Sequence, residues 1–243
     1  MMETASGFDI VAFGAHPDDV ELGCGGTLAM QVSKGNTACI IDLTQGELGT
    51  RGTPEIRKKE SDNAAEILGV SERCNMGFAD GFFTNDKEHQ LQVIALIRKY
   101  RPRIVLANAL SDRHPDHGRA GQLVAESFFL SGLAKIVTES NGERQEPWRP
   151  MALYHYVQYR NHKPDVIVDI SGHFDVKMKA VRAHESQFHN PSSKEPDTLI
   201  SQKDFLEYIT GNALDMAKQI GCSYAEGFTS SRHIGASNLL DLI

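Results

Sequence analysis

Residues 10–19 read Ile10-Val11-Ala12-Phe13-Gly14-Ala15-His16-Pro17-Asp18-Asp19. An apolar run of this length, with β-branched and aromatic members, reads as a buried strand, and His-Pro-Asp-Asp reads as the turn that ends it. The following stretch, Val20–Ser33, has helical character. Strand, turn and helix in that order open a parallel α/β unit. Working outward, further strands are expected at Ala38–Leu43, Ile104–Asn108, Leu153–Gln158 and Val166–Ile170, with a weaker one around Arg73–Met76. Helices are expected at Pro54–Leu68, Leu91–Tyr100, Ala120–Leu133, Val176–Gln187 and about Asp204 to Ile220. Pro54 suits the first position of its helix, where no backbone N–H is needed. The alternation predicts an α/β fold, a doubly wound, mostly parallel sheet with helices on both faces. No linker divides the chain, so residues 1–243 are expected to form a single domain. Asn190–Pro196 is the most loop-like segment and reads as a mobile surface excursion.

In a sheet of order 3-2-1-4-5, ligands bind beyond the carboxyl ends of strands 1 and 4, where the winding reverses. Both unusual clusters follow those strands. The first is His16-Pro17-Asp18-Asp19; the second is Ser111-Asp112-Arg113-His114-Pro115-Asp116-His117. Two histidines and one aspartate drawn from both loops make a nitrogen/oxygen site with an open position for water, as a catalytic zinc requires. The ligands are expected to be His16, Asp19 and His117. Asp18 is then left free as a general base, and His114 to face a developing oxyanion. Asp116 is expected to orient His114 through its other ring nitrogen. Either cluster alone reads as a turn or helix cap; the pairing at one switch point carries the functional reading. Two histidines and a carboxylate also describe a non-haem iron site, the main enzymatic rival.

Other signatures are weak. Gly23, Gly25 and Gly26 do not complete G-x-G-x-x-G, because Leu28 stands where the third glycine is needed; they read as packing glycines. Neither a G-x-S-x-G elbow nor a phosphate loop is present. A net charge of −7 offers no basic footprint, so nucleic acid is not an expected partner. There is no apolar run of membrane-spanning length and no signal-like N-terminus, so no membrane association is expected and the cytoplasm is the expected location. The four cysteines are scattered and read as buried, reduced thiols. Glu47 and Arg51 lie in the loop Gly46–Gly52 after the second strand, read either as a mobile substrate entrance or as an ordinary solvated loop.

The pair Ala15-His16-Pro17-Asp18-Asp19 and His114-Pro115-Asp116-His117 resembles the LmbE-like, or PIG-L, family of zinc-dependent N-acetylglucosaminyl deacetylases. Segments Arg57–Glu60, Tyr154–Tyr156, His162–Pro164, Glu185–Phe188 and Tyr224–Phe228 resemble its bacillithiol-biosynthesis branch. The resemblance implies a Rossmann-like fold, Zn2+ or another divalent metal at the matched positions, Asp18 as base and N-acetylglucosaminyl-malate as substrate. It also implies a homo-oligomer. His184 falls at a position near the site in that branch and is a candidate substrate contact, against the plainer reading of a surface helix histidine. Arg57 and Arg113 are expected to meet an anionic substrate, since a guanidinium fork matches a carboxylate. A non-catalytic, metal-dependent sugar-binding protein is the rival from another class; the free carboxylate of Asp18 argues against it.

Overall fold

The computed structural model describes residues 7–242. Its main sheet has seven strands: β1 (Ile10–Gly14), β2 (Ala38–Thr44), β3 (Glu72–Phe78), β4 (Ile104–Asn108), β7 (Ala152–Tyr156), β8 (Val166–Asp169) and β9 (Ala225–Thr229). Two short strands, β5 (Glu139–Ser140) and β6 (Glu143–Arg144), form a separate hairpin. The sheet order is β3-β2-β1-β4-β7-β9-β8, and the first five strands are parallel. β9 runs antiparallel to both its neighbours. This strand, which lies between β7 and β8, is absent from the expected set, because Ala225-Glu226-Gly227-Phe228 lacks a β-branched run.

The helices are α1 (Asp19–Ser33), α2 (Pro54–Leu68), α3 (Lys87–Tyr100), α4 (Pro115–Leu130), α5 (Phe174–Arg182) and α6 (Phe205–Ile220). On β1, Val11 and Phe13 join one core cluster with Val93, Ile97 and Leu123 of α3 and α4. Ile10 and Ala12 join the other with Leu28 of α1 and Ala64 of α2. Side chains alternate across a strand, so an all-apolar β1 is what a sheet covered on both faces requires. Gly23 and Gly26 are packing glycines, since a Cβ there would strike Tyr156 and Ile170. Cys24 and Cys39 are buried free thiols, whereas Cys74 and Cys222 are only half-buried.

Two boundaries carry function. α4 begins at Pro115, five residues before the apolar pattern starts, because His114 caps it: its side chain accepts from Asp116 N. Proline at the first helical position fits that start. α1 breaks at Cys24, whose φ of −146° is not helical. Lys177 donates to Leu22 O before the break at 2.8 Å, and Glu226 accepts from Gly26 N and Thr27 N after it, at 3.0 and 2.7 Å. Lys177 and Glu226 are paired with each other, so one buried ion pair supplies the hydrogen bonds the broken turn lacks.

A candidate metal centre at the switch point

β1 pairs with β2 on one side and β4 on the other, so the loops after β1 and β4 open onto one crevice. Both clusters lie there. The His16 ring points Nδ1 at Asp19 Oδ2, 3.5 Å away, and Nε2 at Asp80 Oδ1 and Asp116 Oδ2, at 3.1 and 3.4 Å. His117 points Nε2 at Asp19 Oδ1 at 3.1 Å and Nδ1 at Asp112 Oδ2 at 2.8 Å. Each histidine thus turns one nitrogen inward and gives the other to an outer carboxylate, the arrangement that fixes ring orientation in metal sites. Asp19 is the one carboxylate among the described residues that touches both rings. It is itself held by Asn108 Nδ2 at 3.1 Å and Gln158 Nε2 at 2.7 Å.

Ligand atoms lie within 4.8 Å of one another in two groupings among the described residues, neither of which includes Asp19: His16, His114 and His117, and His16, Asp80 and Asp116. In the second, both carboxylates are occupied by protein donors. Leu48 N donates to Asp80, while Gly81 N and Arg119 Nη1 donate to Asp116. They are better suited to aligning His16 than to displacing it. In the first, His114 Nδ1 accepts from Asp116 N at 3.3 Å, so the neutral ring carries its proton on Nε2, at the cleft. The expected Asp116–His114 contact is therefore made by the backbone N–H of Asp116. Its carboxylate faces His16, Gly81 and Arg119 instead.

Charge follows this layout. Burial opposes protonation of His16, but hydrogen bonds to Asp116, Asp19 and Asp80 outweigh it and raise its pKa well above the ordinary value. His117 is likewise raised to about 9: burial is outweighed by the charge of Asp19 and the Asp112 hydrogen bond. Asp19 is held well below the usual carboxylate range, burial notwithstanding, chiefly by His117. These carboxylates demand positive charge, which a divalent cation supplies in place of two protons; a nitrogen/oxygen donor set of this kind fits zinc or a related ion. His114 is lowered by burial and by the neighbouring imidazoles, so it is neutral near pH 7.

Asp18 stands beside the cluster without touching either ligand histidine. Its carboxyl is raised by burial, an effect that Arg57 opposes. Its backbone has φ 146° and ψ −23°, a conformation that costs a non-glycine residue about 1–3 kcal/mol. Arg57 holds it there. The guanidinium donates from Nη2 to Pro17 O at 2.9 Å and from Nη1 to Gly46 O at 3.2 Å, with Asp18 Oδ2 at 3.4 Å. Arg57, expected to bind an anionic substrate group, is instead committed to the loop that carries Asp18. Arg57→Ala should therefore lower kcat by ~10²-fold for every substrate alike, the scale of a small misplacement of a reacting group. A loss confined to anionic substrates in steady-state kinetics would contradict this role.

The remaining expected residues divide. Arg113 is exposed at the cleft, its guanidinium 5.0 Å from the Tyr159 ring centroid. His184 is neither a surface helix histidine nor a cleft residue. The chain leaves α5 at Arg182 and turns it inward, fully buried, with Nε2 3.4 Å from Glu21 Oε1. The Gly46–Gly52 loop is tied down: Glu47 accepts from Asp80 N, Arg51 donates to Ser186 O, and Gln187 donates to Arg51 O. Asn190–Pro196 contains no helix or strand, and Glu195 accepts from Gly52 N at 3.0 Å. Asp80, Asn108 and Gln158 escape a sequence reading because each sits alone. Asp112 does lie inside the second cluster, five residues before His117, and that spacing was the available signal.

Fold and site together define an α/β protein with a candidate divalent-metal centre at the crevice between β1 and β4. Residues 11–128 match the family model PIG-L, described as GlcNAc-PI de-N-acetylase. The chain is 33% identical over 222 residues to diacetylchitobiose deacetylase of Thermococcus kodakarensis, covering 87% of this chain and 79% of that one. A probable N-acetyl-alpha-D-glucosaminyl L-malate deacetylase 2 of Bacillus cereus is 29% identical over 190 residues, 71% of this chain and 80% of that one. The crystal structure of a conserved protein from Thermus thermophilus superposes with a TM-score of 0.84 at 36% identity, covering 94% and 97% of the two chains. The chain belongs to the PIG-L family. No helix among the described residues is long and apolar enough to cross a membrane.

Proposed function

We propose that this protein is a metal-dependent N-deacetylase of N-acetylglucosaminyl conjugates, with zinc as the ion. The observation that carries this reading is the convergence of His16, Asp19 and His117 beside a buried carboxylate outside the proposed ligand set and a neutral imidazole. The relatives' printed activities support the amide and the sugar.

A bound divalent ion supplies Lewis acidity and lowers the pKa of a water from 15.7 toward ~7. The protein does the rest. Asp18, with its affinity for a proton raised by burial, takes the proton of the attacking water as the new C–O bond forms at the acetamide carbonyl. His114 donates from Nε2 to the oxygen that gains negative charge, and costs nothing in protonation because it is neutral beforehand. The proton held on Asp18 passes to the amine nitrogen as the C–N bond breaks, leaving the free amine and acetic acid, which gives up its remaining proton to water or to the amine.

The malyl conjugate of bacillithiol biosynthesis is the particular substrate the resemblance implies, and the Bacillus cereus relative supports it. With Arg57 committed elsewhere, Arg113 is the cation left to meet a malyl carboxylate. Incubating the zinc-loaded protein with N-acetylglucosamine and with N-acetylglucosaminyl-malate, and assaying free amine, tests the reading. Amine release with a higher kcat/KM for the malyl substrate is expected, and Arg113→Ala should erode that preference. Metal occupancy without amine release from any acetamido sugar would refute the deacetylase reading.

A further inference from the structure

The two oxygens of an ionised carboxylate offer about four lone-pair positions between them. On Asp19, both positions of Oδ2 are met by protein donors, His16 N at 3.0 Å and Asn108 Nδ2 at 3.1 Å. Oδ1 accepts from Gln158 Nε2 at 2.7 Å, and its second position faces His117 Nε2 at 3.1 Å. The proton between His117 and Asp19 is one that a divalent ion replaces, so Oδ1 is the oxygen of Asp19 left to an ion. Gln158 is the neutral donor that shares that oxygen. It follows β7 by two residues and lines the cleft, and both ends of its amide are engaged. Its Oε1 lies 3.5 Å from Asn108 Nδ2, which turns its Nε2 toward Asp19. Asn108, fully buried at the end of β4, is set in turn. Its Oδ1 accepts from Ala15 N at 2.9 Å, and its main-chain carbonyl accepts from the buried His155 ring at 2.7 Å.

We infer that Gln158 is a positioning residue for the ion, acting through Asp19 Oδ1, rather than a contact for the sugar. The hydrogen bond to a charged acceptor is short, and it fixes the rotation of the carboxylate before any ion arrives. The ligand histidines cannot supply that hold, because each turns its inward nitrogen to the ion. Asn108 acts on the other oxygen and is also needed by Ala15 N, whereas Gln158 can be changed without unpairing the loop after β1. The inference rests on the metal-dependent reading of the site and is independent of which acetamido sugar it takes.

Gln158→Met keeps the length of the side chain and removes the donor. The unaltered and variant proteins, stripped of metal, are titrated with zinc against a chelator of known affinity, and turnover of N-acetylglucosamine is followed at saturating zinc. The zinc Kd should rise about 10–100-fold, the scale on which loss of a partner that aligns a metal ligand is felt. At saturating zinc, KM should be unchanged and most of kcat recovered. Gln158→Ala should fall between the two proteins, because water entering from the cleft can donate to Oδ1 in place of the amide. An unchanged zinc Kd overturns the inference: joined to a raised KM it makes Gln158 a substrate contact, and joined to a lower Tm alone it makes Gln158 a prop of the fold. Failure of both variants to fold without metal assigns Gln158 to the fold and overturns the inference as well. No zinc uptake by the unaltered protein removes the metal reading and takes the inference with it, an outcome distinct from equal binding by both proteins. The zinc arm needs no turnover, so it decides the role of Gln158 even where no acetamido sugar is hydrolysed.

Discussion

Asp18→Asn is expected to keep its metal and lose at least ~10²-fold in kcat, the typical contribution of a positioned general base. The amide preserves size and some hydrogen bonding but cannot accept the water proton. Asp18 touches neither ligand histidine, so metal content by elemental analysis should match the unaltered protein. A companion variant separates chemistry from strain. At φ 146° glycine is unstrained where aspartate is not. Asp18→Gly removes about 1–3 kcal/mol of backbone strain and a buried carboxylate next to Asp19, against about 0.5–1 kcal/mol of added chain entropy. It should be as inactive as Asp18→Asn yet melt a few degrees higher, since about 1 kcal/mol shifts Tm by ~2–4 °C in a chain of this size. Near-normal turnover in either variant would remove Asp18 from the reaction.

His16→Ala and His117→Ala are expected to strip metal and activity together. Two remaining donors do not hold a catalytic ion as three do. The graded comparison is Asp112→Ala, which leaves all three donors but frees the His117 ring from its 2.8 Å partner. Loss of such an outer partner costs about 10–100-fold in metal affinity. Asp112→Ala should therefore recover most of its activity at high zinc, whereas the histidine variants should not. Competition with a chelator of known affinity measures the difference. Full metal content in both histidine variants would overturn the ligand assignment. His114→Ala should keep metal and lower kcat more than it changes KM, as expected of a group that acts on the developing charge.

Much of this arrangement was legible in the sequence, for identifiable reasons. The strand order around β1 follows from apolar runs alternating with helices, and the crevice from the reversal of winding between β1 and β4. His16, Asp18, Asp19, His114 and His117 were legible because they are crowded into two short loops. What escaped are contacts made across sequence distance. Asp80 reaches His16 from 64 positions away, and Gln158 reaches Asp19 from 139. His184 was misplaced, and the loop contacts of Arg57 were missed, for a related reason. Residue type suggests a partner class, but the partners here are a carbonyl of a strained loop and a buried glutamate, which no local pattern announces. β9 was missed because its stability comes from pairing with two neighbours and from the burial of Phe228, not from intrinsic strand propensity.

The break in α1 bears on the order in which the molecule can assemble. Its two halves are joined by Lys177 and Glu226, which lie 155 and 200 positions from the backbone groups they satisfy. Contacts of such separation form late, because the closure entropy of the intervening chain must be met first. During synthesis, β1 to β4 can gather as the chain emerges, while the front turn of α1, with Asp18 and Asp19, waits for Lys177 of α5 and for the Glu226 of β9 that pairs with it. The end of the cleft that carries the candidate metal centre is therefore finished last, and a chain that has not yet delivered Glu226 holds a sheet without a set His/Asp cluster.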